Sequence, residues 1–130
     1  MNQLEQNKAI VLRFNKEFIE KGDLQAFETL VAPDFINHTA ASLGLPSGRE
    51  GVRDFIINVL HAAMTDIKVD IHEQVAEGDT VVTRKTISGT QTGDMMGRPG
   101  KGQRTRLHII DIVKIKNGQY SDHWAQRSVE

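Results

Sequence analysis

An aspartate stands in the middle of the most apolar stretch of this sequence, Leu107-His108-Ile109-Ile110-Asp111-Ile112-Val113. A carboxylate among such neighbours loses hydration, which raises its pKa unless a cation or a donor compensates. An interior makes a general acid or base near neutral pH in this way, so Asp111 is the first candidate for catalysis. The alternative is a structural carboxylate, bonded to a neighbouring strand or held at a dimer seam. Arg84, in Val81-Val82-Thr83-Arg84-Lys85-Thr86, could bind a carboxylate or stabilise an enolate oxygen, or could stand in solvent. Lys85 points to the opposite face, so at most one of the two lies inside. Asn37 could hold a substrate carbonyl or satisfy its own turn, and for His38 the turn role is preferred. His61, His72 and His108 show no metal-ligand spacing, and neither a metal nor a cofactor is expected. The glycine-rich stretch from Gly97 to Gly102 precedes no helix and reads as a strand connection, not as a phosphate loop.

These residues need elements to position them. Ile10, Val11, Phe14 and Phe18 recur at helical spacing, with Asn2 and Glu5 as a capping box and Gly22 as the stop. Asp23 caps a second helix with Leu24, Phe27, Leu30 and Val31 as its stripe; Pro33 breaks it, and Asp34 to His38 reads as a short extended piece. Ser47 and Glu50 form a capping box for a third helix over residues 48–63. After Thr65 the period switches to alternation. Ile67, Val69 and Ile71 mark one strand, Thr80 to Gly93 a second, Arg104 to Lys116 a third, and Gln119 to Arg127 a fourth. Asn117-Gly118 between the last two is a hairpin signal. Helices followed by a meander of four antiparallel strands argue for an α+β fold with the helices on one face of the sheet.

The 130 residues suit one domain with one core, spanning 1–130. A net charge of −1 gives no electrostatic reason to expect nucleic acid or a membrane surface as partner. The chain has no cysteine, which excludes disulfides and thiolate chemistry. Charges are scattered through the first residues and no apolar run approaches a bilayer span, so a cytoplasmic location is expected.

Several short motifs recur in a familiar order: Ala32-Pro33-Asp34-Phe35, Gly48-Arg49-Glu50-Gly51, Glu77-Gly78-Asp79 with Val81-Val82 and Arg84, Gly89-Thr90-Gln91-Thr92-Gly93, and Asn117-Gly118 followed by Asp122-His123-Trp124. Over nearly the whole chain this resembles the SnoaL-like polyketide cyclases of the nuclear transport factor 2-like superfamily. The resemblance implies a cone-shaped fold, three N-terminal helices on a strongly bent antiparallel sheet with a deep cavity. It implies a small apolar or polyketide-like ligand and cofactor-free acid/base chemistry, either aldol ring closure or isomerisation. The resemblance puts Asn37, Asp111 and His123 at cavity positions; Asp111 and His123 are the candidate catalytic residues, and Asn37, Arg84, Phe55 and Ile109 the candidate substrate-binding ones. The family's acid/base aspartate lies two residues after the histidine, where this chain has Ala125. Alanine cannot move a proton, so ordinary cyclase turnover is expected to be weak, with Asp111 as the remaining acid/base. A ligand-binding domain, or a hydrolase of the epoxide hydrolase type using Asp111 and Arg84, are the alternatives.

Two expectations concern the last strands. Counting back from a two-residue turn sets Asp111 opposite Trp124 and puts His123 on the other face. The family spacing puts Asp111 and His123 on the same side, which requires a bulge; the bulged register is preferred. In the third strand Leu107, Ile109, Val113 and Ile115 share one face, while Ile110 and Ile112 make the other apolar too. A strand with one wet face should not do so, and a homodimer through the outer face of the sheet is expected.

Overall fold

Asn2 accepts a hydrogen bond from the Glu5 N–H at 2.9 Å and opens the first helix, α1, Gln3–Arg13, which continues as a π-helix over Phe14–Glu20. In the computed structural model, which describes residues 1–130, α2 (Leu24–Leu30) follows under the Asp23 cap, and then β1 (Val31–Asn37). α3 (His38–Ser42) and α4 come next; α4 is α-helical over Arg49–Asp54, π-helical over Phe55–Leu60, and closes with a turn at His61–Ala63. Four strands complete the chain: β2 (Met64–Glu77), β3 (Thr80–Gln91), β4 (Gln103–Lys116) and β5 (Gln119–Val129).

Three local expectations change. The small-residue loop after Asn37 holds an extra short helix, α3, so there are four helices where three were expected. The cap of α4 is Gly48, without a side-chain bond, so the predicted Ser47–Glu50 box is not formed. Val31 belongs to a strand and not to the stripe of α2. β1 pairs only with β5, at the sheet edge, where Pro33 can stand with no N–H to offer.

The sheet order is β1-β5-β4-β3-β2, antiparallel except for β1, which runs parallel to β5. The fold is thus α+β with a mixed sheet, its curvature helped by bulges in β2 and β5. Asn117 and Gly118, both at positive φ, make the tight turn between β4 and β5. Odd-numbered residues of β3 and β4 face the helices. Val81, Ile87, Leu107 and Val113 join Val11, Phe14, Phe18, Phe27 and Leu60 in one cluster of 21 buried apolar residues. Gly89 is required here, because a Cβ would lie 2.7 Å from the Met64 Cε and 2.8 Å from the Thr65 carbonyl.

Candidate functional site

The helix-facing side of β3, β4 and β5 carries a polar cluster inside the apolar core. Asp111 and Lys85 are each 4% exposed, and the Lys85 Nζ lies 3.0 Å from the Asp111 Oδ2. The ammonium also donates to the Asn15 Oδ1 at 2.7 Å, and Asn15 donates to the Val11 carbonyl at 2.8 Å, which fixes the amide's orientation. Beyond Asp111, the His123 Nε2 lies 3.5 Å from the same carboxylate oxygen. Asn15, Lys85, Asp111 and His123 thus form a file from α1 through three strands.

The register explains who meets whom. A bulge at Ser121 separates the Lys114–Asp122 and Ile115–Tyr120 pairs, so Val113 opposes His123 and Asp111 opposes Ala125. The bulged register expected from the family spacing is the one formed. It turns His123 inward beside Asp111 and leaves Trp124 outside, paired with Ile112 and stacked on His38 at 4.4 Å.

Burial alone would raise the Asp111 pKa, but the Lys85 ammonium, followed by His123, more than offsets it and leaves the group at about 2. The expected rise is therefore reversed, because a cation that composition could not place stands against the carboxylate. Asp111 is a permanent anion at neutral pH and cannot donate a proton. Tyr120, wholly buried nearby, has its pKa raised by burial and then by the Asp111 charge.

Four buried side-chain polar atoms have no partner within the chain, the Nε of Arg49 and of Arg98, the Asp111 Oδ1 and the His123 Nδ1, and the last two lie in this file. Leaving such an atom unpaired costs about 1–3 kcal/mol, so a ligand's polar group gains most at these two points. The His123 side chain is 20% exposed and is the most accessible member of the file. Its surroundings are apolar on one side, with the Phe35 ring 6.5 Å away. Ile109 shares the inward face of β4 with Asp111; Phe55 is partly buried, with the Arg127 guanidinium 5.4 Å from its ring. α3 closes over the free edge of β5, where the Thr39 hydroxyl accepts from the Ala125 N–H at 2.9 Å.

The remaining sequence candidates lie elsewhere or are already engaged. Arg84 is on the outer face, 2.8 Å from Glu73. The cavity arginine is thus corrected to a surface ion pair, and Lys85 takes the inside position by strand alternation. Asn37 accepts from the Ala40 N–H at 3.1 Å and caps α3, which commits its oxygen to the backbone. His38 is held by Asp122 at 2.8 Å, and this bond draws the Asp122 pKa down. Among all residues no group of three or more His, Cys, Asp or Glu side chains could hold a metal ion.

Sequence reasoning missed Asn15 and chose the wrong basic residue on β3. Both signals were present. Asn15 lies four residues after Val11 and three before Phe18, on the buried stripe of its helix, and Lys85 shares strand parity with Val81 and Ile87.

SnoaL-like polyketide cyclases match the chain over residues 9–128. The chain belongs to this family. Among solved structures, TsrD from Streptomyces laurentii superposes with a TM-score of 0.84 at 26% identity, covering 98% of this chain and 91% of that one. IdmH from Streptomyces antibioticus gives 0.81 at 24% identity, covering 95% and 92%. A SnoaL-like polyketide cyclase from Agrobacterium tumefaciens gives 0.77 at 16% identity, covering 94% and 91%. No curated protein matches the chain in sequence. Within the SnoaL-like frame the polar file is the feature that can carry chemistry, and Ala125, facing Asp111 across the strand pair, is where the family aspartate is expected.

Proposed function

We propose that this SnoaL-like protein is a small-molecule pocket protein performing cofactor-free proton transfer on a fairly apolar carbonyl compound, with His123 as the acid/base. The observation that carries it is the pairing of His123 with a buried, ionised Asp111 while the ring's Nδ1 remains free. Asp111 favours the tautomer with the proton on Nε2, which leaves Nδ1 as the acceptor. Nδ1 takes a proton from the carbon next to a carbonyl, and the imidazolium so formed is stabilised by the Asp111 charge. The enolate then attacks a second carbonyl carbon in the same molecule and the new alkoxide recovers the proton. Alternatively the proton returns to a different carbon. The first outcome is ring closure and the second isomerisation; neither needs an oxidant or a second substrate. Phe35, Phe55 and Ile109 offer an apolar surround.

Non-catalytic ligand binding is the second reading, and Ala125 favours it, since the group expected to move protons is absent from its usual place. Hydrolysis of the epoxide hydrolase type is not supported, because Arg84 is paired with Glu73 outside.

Solvent-deuterium exchange at the α-carbon of a panel of small ketones and polyketide-like diketones, followed by NMR, separates the two readings. Acid/base function predicts exchange that falls about 10²–10⁴-fold in His123→Asn. Binding without exchange, or exchange indifferent to His123, would leave only the ligand-binding reading.

The proposal includes a homodimer through the outer face of the sheet. Registered neighbours Val75, Val82, Ile112 and Trp124 form one apolar row across four strands there, with Ile110 beside it. Val75 is 60% exposed, Ile110 53% and Ile112 39%. A contiguous patch of this kind favours a partner surface.

A further inference from the structure

The same outer face carries a second feature that the apolar row does not explain. Next to Ile110 lies an open concavity of about 770 Å³ whose walls include His72, Thr86 and His108. The Thr86 Oγ1 lies 2.8 Å from the His72 Nε2 and 3.0 Å from the His108 Nδ1. The His108 Nε2 lies 2.7 Å from the Glu130 Oε1. A hydroxyl has one proton to give, so only one arrangement satisfies all three contacts with both rings neutral. Glu130 can only accept, so the His108 Nε2 carries hydrogen and its Nδ1 accepts from Thr86. Thr86 in turn accepts from the His72 Nε2–H. The chain runs one way across β2, β3, β4 and β5.

The Thr86 hydroxyl and both His108 nitrogens are satisfied without water, which lowers the cost of covering this part of the face. One proton on His108 is absorbed, because the His72 ring can carry its hydrogen on Nδ1 and let Nε2 accept from Thr86. Protons on both rings break the match: the His108 Nδ1 and the His72 Nε2 are then both donors, the Thr86 hydroxyl loses its acceptor, and two donors converge on one oxygen. The new charges must also lose their hydration if the face stays covered. Other charged groups facing the line are Asp70 and Glu73 on β2, Arg84 on β3, Arg106 on β4, and Glu130 just after β5, whereas Arg127 shares the inward face with its register partner Ile109 and lies over Phe55. Lys68 pairs with Asp70 at 3.6 Å, and Arg84 with Glu73. Glu130 has its pKa lowered by the His108 hydrogen bond first and by Arg106 last, so it stays an anion able to hold an imidazolium in an uncovered face. A surface with both signs in comparable number, on a chain of net charge −1, can face its own copy without net repulsion.

We infer that the His72–Thr86–His108–Glu130 line is a proton gate on self-association: two copies of this chain join through the outer face when both rings are neutral and separate when they gain protons. The inference rests on the homodimer proposed above, and sedimentation of the full chain at about pH 7.5 and about pH 5.5 separates the failure of each. The wild type is expected to be dimeric at the higher pH, with a dissociation constant at least about tenfold larger at the lower one, and folded at both by circular dichroism. Ile112→Lys is expected to be a folded monomer, and His72→Gln/His108→Gln to stay dimeric at both pH values. A wild-type monomer near neutrality, or a dimer that survives Ile112→Lys, would remove the interface and the gate together. A wild-type dimer equally tight at both pH values, dissociation that persists in the Gln/Gln variant, or dissociation that only accompanies unfolding would remove the gate and leave the interface standing. Should the Gln/Gln variant be monomeric throughout, NMR titration of the two rings decides. Midpoints lower in the wild-type dimer than in the Ile112→Lys monomer support the gate, and equal midpoints overturn it.

Discussion

The Lys85 ammonium and the Asp111 carboxylate meet at 3.0 Å with almost no access to water. Each is tolerable inside only because the other is there. Removing one partner should therefore cost far more than removing both. Lys85→Met is expected to destabilise the fold by about 3–5 kcal/mol, measured by urea unfolding, and Lys85→Met/Asp111→Leu by much less. A double variant as unstable as the single one would mean that the ion pair is not the reason for the loss.

The same contact fixes an acid response. The Asp111 pKa in the fold is about 2, below its ordinary 3.8. A depressed carboxylate contributes stability that is fully present above the unfolded value and is lost as pH falls through the folded one. Stability should thus drop by about 2 kcal/mol between about pH 5 and about pH 1.5 from this group alone. Asp111→Asn should flatten that limb of the stability curve, and an unchanged limb would locate acid sensitivity elsewhere.

Ala125 opposes Asp111 directly, a spacing of about 4.5–5.5 Å between Cβ atoms. A carboxylate placed there would share the Lys85 cation with Asp111, and the two could not both ionise freely. Ala125→Asp is expected to lose stability while gaining a group that titrates nearer neutrality. Its α-proton exchange on the ketone panel should exceed the wild type's by about tenfold or more. Exchange no faster than the wild type's would show that the family's acid/base position is not, by itself, what this interior lacks.

Much of this architecture was legible because local signals agreed. Helical periodicity gave α1 and α4, and alternation with Asn117-Gly118 gave the last hairpin. β1 was harder, since its pairing with β5 joins segments some 90 residues apart in sequence and leaves only a short apolar trace. At the site, Asp111 stood out by contrast with its neighbours, whereas Lys85 sat next to Arg84 in a strand where both faces mix polar and apolar residues. Parity there is set by Val81 and Ile87, not by the charges. The extra residue at Ser121 leaves no mark of its own in sequence; only the spacing of the whole motif betrayed it. The reversal of the Asp111 pKa is of another kind, because it depends on a cation 26 positions away whose approach only the folded register decides.

Asn15 and Arg84 make the closing contrast. Asn15 is wholly buried and supplies the only acceptor besides Asp111 recorded for the Lys85 ammonium, at 2.7 Å. Asn15→Leu keeps similar volume but removes that acceptor, leaving a buried charge one partner short. The cost should be about 1.5–3 kcal/mol, seen as a melting temperature lower by several degrees. Because Asp111 keeps both its cation and His123, ligand exchange chemistry at His123 should change far less than stability does. Arg84 makes an exposed pair with Glu73, half in solvent, of a kind that contributes about 0–1 kcal/mol. Arg84→Ala should therefore leave both melting temperature and exchange rate near those of the wild type. An Arg84→Ala variant that abolished exchange while remaining folded would put the reacting site on the outer face and not in the interior file.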